Sequence, residues 1–140
     1  MRQILLFAAL AASLALLSGC TLSKTKKDTP EDMTGKAAYH KISTEEAYEM
    51  MASQEVVVVD VRTQEEYDGG HIENAVLVPN ESIGSEMPEV LPDKEATLLV
   101  YCRSGRRSKD AAQKLLALGY QSVYDFGGVI DWPYELVKEG

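Results

Sequence analysis

The residues with the clearest chemical potential stand together at positions 102–108, where one cysteine is followed by three arginines. In order, the residues are Cys102, Arg103, Ser104, Gly105, Arg106, Arg107 and Ser108. A thiol reacts as its thiolate, and its pKa of about 8.5 falls when cations or backbone N–H groups face the sulfur. The segment therefore predicts a nucleophilic cysteine that acts on small anions, which the arginines would concentrate in a chain of net charge -8.

Asp60 and Arg62 are supporting candidates, because they end the strand predicted by the β-branched run at 56–59. The carboxyl ends of parallel strands meet at one edge of a sheet, so Asp60 could face the same pocket and hold the reactive loop. The alternative is structural: Asp60 caps the helical turn predicted at 63–67, and Arg62 pairs with Glu66 four residues on. We favour the structural interpretation for both residues.

The elements that must position these residues alternate between helix and strand. Ser43 followed by Glu46 forms a capping box and predicts the start of a helix. Another helix, with leucines at helical spacing, follows the reactive loop and ends at Gly119, and a last helical stretch surrounds Trp132. Apolar runs predict strands at 56–59, 75–78, 97–101 and 122–126. This alternation predicts an α/β domain whose central, mostly parallel sheet is flanked by helices on both faces.

Composition supports one folded domain and excludes several classes of protein. The chain has 140 residues, of which 45% are hydrophobic and 26% charged, close to the average of globular proteins. With 14 Lys+Arg against 22 Asp+Glu, no nucleic-acid partner is expected. Two cysteines are too few for a disulfide scaffold or a zinc cluster, so we expect no metal site.

Residues 1–19 have the features of an export signal. Arg2 precedes an apolar run over 4–17, and these 14 residues are fewer than the roughly 20 that span a bilayer. Positions 17–20 read Leu-Ser-Gly-Cys and resemble the lipobox of bacterial lipoproteins, whose cysteine becomes the lipid-bearing N-terminus. The resemblance implies that Cys20 carries lipid, with acyl chains such as palmitate. The alternative is an ordinary secretory signal with a chance cysteine.

Residues 20–38 are mostly charged or hydroxyl-bearing and predict a flexible, lipid-anchored tether, leaving 39–140 as the folded domain. The protein is therefore expected outside the cytoplasm, anchored to a membrane on its periplasmic side or at the cell surface. If Cys20 is lipidated, it forms no disulfide with Cys102.

The folded part resembles the rhodanese-domain sulfurtransferases over about residues 42–136. Besides the Cys102 loop, the shared motifs are Val-Asp-Val-Arg at 59–62, Glu-Glu-Tyr at 65–67, Gly-His-Ile at 70–72, Val-Pro at 78–79, and Gly-Gly at 127–128 with a tryptophan at 132. Two positions depart from the family pattern. Asn74 stands where a glycine is usual, and Arg106 stands where an asparagine is frequent.

The resemblance implies a sulfurtransferase that works by double displacement through a persulfide on Cys102. A small anionic donor such as thiosulfate would supply the sulfur, and cyanide or a thiol would accept it. The loop from Arg103 to Ser108 would bind the donor and the persulfide, with the arginines on the leaving sulfite. No metal or organic cofactor is required, and we expect a monomer. His71 and Trp132 are interpreted as structural.

Two other functions are weighed against this one. A non-catalytic rhodanese module, used only to bind sulfur anions or a partner, usually lacks the cysteine that this chain has at 102. A cysteine-dependent phosphatase needs an arginine six residues after its cysteine, where Ser108 stands, and Tyr101 occupies the preceding position in place of histidine. Sulfur transfer is the interpretation that the motif favours.

Overall fold

A five-stranded parallel sheet forms the centre of the computed structural model, which describes residues 37–138. The strands are β1 (Ala38–Lys41), β2 (Val57–Asp60), β3 (Val76–Leu77), β4 (Thr97–Cys102) and β5 (Ser122–Gly128). Their order across the sheet is β1-β5-β4-β2-β3, and every neighbouring pair is parallel. The predicted α/β class with a parallel sheet is confirmed, and the strand that carries the cysteine lies at its centre.

Three α-helices connect the strands, namely α1 (Thr44–Ser53), α2 (Gln64–Asp68) and α3 (Arg106–Ala117). The predicted capping box opens α1: the Glu46 N–H donates to Ser43 Oγ at 3.1 Å, and the Ser43 N–H donates to the Glu46 carboxylate at 2.8 Å. A second capping box, formed by Thr63 and Glu66, opens α2. Both boxes satisfy N–H groups that a helix leaves unpaired at its start.

The helices cover both faces of the sheet, as predicted. Residues of β4 alternate between the two faces, with Val100 and Cys102 packing in the core under α3. The other side of β4 contributes Leu99 and Tyr101 to a second core, which α1 and α2 cover. These four side chains are at most 1% exposed, as expected for a strand covered on both faces.

Three features differ from the sequence-based expectation. Strand β1 was not predicted, and it begins at Ala38, one residue before the expected start of the domain. Strand β5 is longer than predicted and runs to Gly128. The predicted helix around Trp132 is a single 3-10 turn, Val129–Asp131. Pro133 explains this end, because a residue before proline is driven out of the helical region, and Trp132 has ψ of 112°.

Asn74, which departs from the glycine of the family pattern, has φ of 62°. This is the left-handed conformation that favours glycine, and asparagine tolerates it better than most side chains do. The turn before β3 is therefore retained.

Within residues 37–138, no helix is long and apolar enough to cross a membrane. The predicted signal sequence, Cys20 and residues 20–36 of the predicted tether lie outside the described residues.

Candidate active site

Cys102 is the last residue of β4, and its side chain is only 1% exposed. Burial opposes the charged form of a thiol. Hydrogen bonds from the N–H groups of Ser108, Gly105 and Ser104 face the sulfur and hold the pKa of Cys102 below its ordinary value. The Gly105 N–H donates to Sγ at 3.0 Å. The site therefore favours a thiolate.

The loop after Cys102 curls because Gly105 adopts a left-handed conformation, with φ of 97° and ψ of -8°. A side chain would be strained there, which agrees with the predicted need for glycine. The Lys109 N–H donates to the Gly105 carbonyl at 3.3 Å and begins α3. The first N–H groups of α3 consequently lie around the sulfur, at the end of the helix dipole that stabilises anions.

The loop rests on the backbone of the two glycines that end β5. A Cβ on Gly128 would overlap the carbonyl of Arg103, and a Cβ on Gly105 would lie 3.3 Å from Gly127 Cα. The Ile130 N–H donates to that Arg103 carbonyl at 3.2 Å. The Gly-Gly pair of the sequence motif thus permits a close backbone approach that fixes the start of the loop.

The three arginines of the loop differ in their surroundings. Arg107 forms a bidentate pair with Glu66 of α2, with both N–O distances at 2.8 Å. Chiefly through this pair, the pKa of Glu66 falls to about 2 and the pKa of Arg107 rises above its ordinary range. Arg103 and Arg106 are exposed and make no ion pair with another described residue. Arg103 and Arg106 are therefore available to bind an anion, as predicted for the loop, whereas Arg107 joins the loop to α2.

The two serines of the loop also differ. Ser104 is exposed, whereas Ser108 is fully buried beneath the loop. The Ser108 hydroxyl donates to the buried carboxylate of Asp125 at 2.7 Å. The sequence predicts that Ser108 binds the substrate. In the structure, its hydroxyl joins the start of α3 to Asp125 of β5.

Asp60 and Arg62 pair with each other, so the predicted pairing of Arg62 with Glu66 is wrong. Arg62 Nε and Nη2 donate to the Asp60 carboxylate at 2.9 and 2.6 Å, and the Tyr101 hydroxyl donates to it at 2.7 Å. Asp60 does not cap α2 either, since Thr63 and Glu66 do so. The prediction failed because the helix begins after Thr63, which leaves Arg62 outside the helical spacing that brings residues four apart together.

A cleft of about 350 Å³ lies beside the loop. It is lined by Arg62, Glu66, Gly69, Gly70, Arg103, Val129, Ile130 and Leu136. Arg62 therefore reaches the neighbourhood of the loop, while Asp60 stays buried behind it. A larger groove of about 670 Å³, lined by Tyr48, Trp132 and Tyr134 among others, includes no residue of the loop. Of the loop residues, the exposed Arg103 lines the smaller cleft, which makes this cleft the candidate site for a small anion next to the loop.

Sequence reasoning did not identify Glu66 and Asp125 as partners of the loop. The one usable signal for Asp125 is that a carboxylate stands inside the apolar run 122–126, where a buried charge needs partners. His71 is buried, stacks on Tyr67 and hydrogen-bonds the Tyr67 carbonyl through Nδ1 at 2.9 Å, which agrees with a structural role. Within residues 37–138, no three His, Cys, Asp or Glu side chains group as a metal site.

We predict that the Glu66–Arg107 pair makes stability depend on pH in the acidic range. The pKa of Glu66 is depressed from 4.5 to about 2, so the pair stabilises the fold above about pH 4.5 and the contribution is lost as the pH falls toward 2. Because the pair is partly exposed, its contribution is about 1 kcal/mol. Chemical denaturation between pH 7 and 2 measures this. Glu66→Gln should lower the free energy of unfolding by this amount at neutral pH, and that free energy should then fall less steeply as the pH drops.

The matched control is Glu65→Gln, which makes the same charge change on an exposed side chain in the same helical turn. It should keep the wild-type pH dependence. If the free energy of unfolding of Glu66→Gln falls with pH as steeply as that of the wild type, the prediction is contradicted.

Comparisons with known proteins agree with this geometry. Residues 43–133, more than half of the chain, match the rhodanese-like domain family. Two solved structures are similar: a rhodanese with anions from E. coli (33% identity, TM-score 0.55, covering 61% of this chain and 100% of that one), and the human single-domain sulfurtransferase TSTD1 (26% identity, TM-score 0.59, covering 66% and 93%).

Among curated proteins, the tRNA uridine(34) hydroxylase of Yersinia pestis (strain Pestoides F) is 29% identical over 106 residues. The match covers 72% of this chain but only 30% of the hydroxylase. The similarity is therefore to one part of that protein. On the family match and the shared fold, the chain belongs to the rhodanese-like domain family.

Proposed function

We propose that the protein is a sulfurtransferase that moves a sulfane sulfur from a small anionic donor, such as thiosulfate, to a thiophilic acceptor. The observation that carries the proposal is the ring of backbone N–H groups around Cys102 Sγ, which lowers the thiol pKa despite burial. The similarity to a human single-domain sulfurtransferase and to a rhodanese solved with anions supports the same chemistry.

Two displacements at sulfur account for the reaction. The Cys102 thiolate attacks the outer sulfur of thiosulfate, an S–S bond forms on the enzyme, and the S–S bond of the donor breaks to release sulfite. The enzyme then carries an anionic persulfide. Cyanide or a thiolate attacks the outer sulfur of that persulfide, so that thiocyanate or a new persulfide leaves and the thiolate is regenerated. No proton transfer is needed when both nucleophiles are anions, which suits a site whose thiol pKa is already lowered.

The loop supplies the anion binding that both steps need. The N–H groups of Gly105 and Ser108 stabilise the thiolate, and we propose that they also hold the persulfide. Arg103 and Arg106, exposed and unpaired among the described residues, would attract the dianionic donor and the departing sulfite. Arg107 would keep the loop in place through Glu66.

Two alternatives are less well supported. In a phosphatase the position of Ser108 would hold an arginine on the phosphate, whereas this side chain is buried against Asp125. A module that only binds would not require a sulfur whose pKa is lowered by a dedicated set of donors.

The first test is Cys102→Ser in the full chain. A hydroxyl is nearly isosteric but forms no persulfide, so thiosulfate:cyanide transfer should be abolished while the melting temperature changes little. Mass spectrometry after thiosulfate treatment should show an added mass of about 32 Da, one sulfur atom, on the wild-type peptide that carries residue 102 and none on the variant. Activity within tenfold of wild type would remove Cys102 from the mechanism.

The second test is the double variant Arg103→Gln with Arg106→Gln. Loss of two unpaired charges should raise KM for thiosulfate by about tenfold and weaken the fall of kcat/KM with added salt. Lys109→Gln, which removes an exposed cation of α3 outside the loop, is the matched control and should retain both properties. If the double variant also retains them, the arginines do not bind the donor.

We also propose that the protein works outside the cytoplasm, anchored by lipid on Cys20. The support is the lipobox-like sequence at 17–20 after the apolar run. Sulfur compounds of the extracytoplasmic space would then be its substrates.

The test is metabolic labelling with a fatty acid. Wild-type protein should take up the label and fractionate with membranes, whereas Cys20→Ala should lose the label. Cys102→Ala is the control for the other cysteine and should keep it. Unlabelled wild-type protein, free in the periplasm or the medium, would refute the anchor and leave the sulfur transfer proposal untouched.

A further inference from the structure

Asp125 places a buried carboxylate directly beneath the Cys102 loop, and the sulfur chemistry above does not use it. The residue is only 1% exposed. Its Oδ1 accepts from Ser108 Oγ at 2.7 Å and from the Gly127 N–H at 2.9 Å, and its Oδ2 accepts from the Tyr39 hydroxyl at 2.8 Å. A buried charge with this many donors is held in one place by three elements, α3, β5 and β1.

The Ser108 hydroxyl has a single proton and several acceptors within reach. Besides Asp125 at 2.7 Å, the carbonyl oxygens of Gly105 and Gly127 lie at 3.1 and 3.3 Å, and the hydroxyl also faces Cys102. One O–H can serve only one acceptor well. The carboxylate is charged and gives the shortest of the three measured bonds, so it takes the proton in preference to a neutral carbonyl.

We propose that Asp125 is a positioning residue for Cys102, acting through Ser108: it holds the Ser108 hydroxyl proton, so the resting thiolate is stabilised by backbone N–H groups and not by that hydroxyl. The position of the proton is argued from the hydrogen bonds alone. Only its effect on catalysis rests on the proposed function. A thiolate without the hydroxyl bond is more basic, and a more basic thiolate is the better nucleophile toward a donor sulfur.

Other groups that face the carboxylate keep this arrangement in place at neutral pH. Burial and the bond to Asp125 raise the pKa of Tyr39 to about 12, so its hydroxyl remains a donor. From β1, Lys41 Nζ lies 3.3 Å from Oδ1 and is half exposed. Arg107, which follows Arg106 at the start of α3, is paired with Glu66 and not with Asp125.

The test measures the pH dependence of iodoacetamide alkylation of Cys102 in the full chain, followed on the peptide that carries residue 102. Four proteins are compared: wild type, Ser108→Ala, Asp125→Ala and the double variant. Ser108→Ala should leave the thiol pKa unchanged, because the hydroxyl does not serve the sulfur. Asp125→Ala should raise the thiolate fraction below the pKa by at least about threefold, since the released hydroxyl turns to the sulfur. The double variant should return to the value of Ser108→Ala.

Three results would overturn the proposal. If Ser108→Ala raises the pKa in the wild-type background, the hydroxyl already serves Cys102. If the double variant keeps the shift of Asp125→Ala, the carboxylate acts by its charge alone. If none of the variants moves the pKa, Asp125 is only structural.

Three further proteins separate these results from a loss of folding: Asp125→Asn alone, Asp125→Asn with Ser108→Ala, and Tyr120→Phe. Asp125→Asn keeps the shape of the side chain and leaves a weaker hydrogen-bond acceptor. It should lower the pKa of Cys102 by less than Asp125→Ala does, and adding Ser108→Ala should cancel that shift. Tyr120→Phe removes a buried hydrogen bond to the Leu91 carbonyl at 2.6 Å, away from the loop. It should lower the melting temperature without moving the alkylation pKa. Because alkylation needs no sulfur transfer, this result stands apart from the outcome of the activity tests.

Discussion

The burial of a sulfur anion is the constraint on which the rest of the structure depends. Cys102 is almost inaccessible, and burial opposes its charge, so a stable thiolate requires donors that stay directed at the sulfur. Backbone N–H groups meet this need because the elements themselves fix them, and the left-handed Gly105 turns the chain so that they converge. Strand β4 supplies a rigid base, since it is bonded to β2 on one side and β5 on the other. The strand order that packs the helices on both faces thus also holds Cys102 on a strand that is paired on both sides.

Two carboxylates hold the loop from two different elements. Glu66 of α2 binds Arg107, and Asp125 of β5 binds Ser108. Arg107 and Ser108 are successive residues in the first turn of α3, so their side chains project about 100° apart around the helix. Because Arg107 is bonded to α2 and Ser108 to β5, the rotation of α3 about its axis is fixed. That rotation decides where the N–H groups of the first turn point, which links two remote carboxylates to the charge on the sulfur.

Local signals were sufficient for much of the fold and insufficient for the contacts around the loop. The capping box of Ser43 and Glu46, the apolar strands and the glycine at the curl act within a few residues, and all were predictable. Strand β1 was not, because it is four residues long, lies at the edge of the sheet and pairs with a strand about 80 residues later. The pairing of Arg62 was predicted wrongly because helical spacing was applied across Thr63, the residue at which the helix begins. The fold class followed from short apolar runs and from leucines at helical spacing, while the partner of Glu66 depended on tertiary structure.

The alternation of β4 places its last two side chains on opposite faces of the sheet. Cys102 faces α3 and anchors the loop, whereas Tyr101, one residue earlier, points to the opposite face and donates to Asp60. Asp60 in turn binds Arg62, whose Nη2 donates to the Gly70 carbonyl at 2.8 Å, and both Arg62 and Gly70 line the cleft. A shift of β4 by one residue would exchange these two side chains, so that the thiol would leave the loop and the hydroxyl would leave Asp60. The register of β4 against β2 and β5 therefore places the thiol at the loop and the Tyr101 hydroxyl at Asp60.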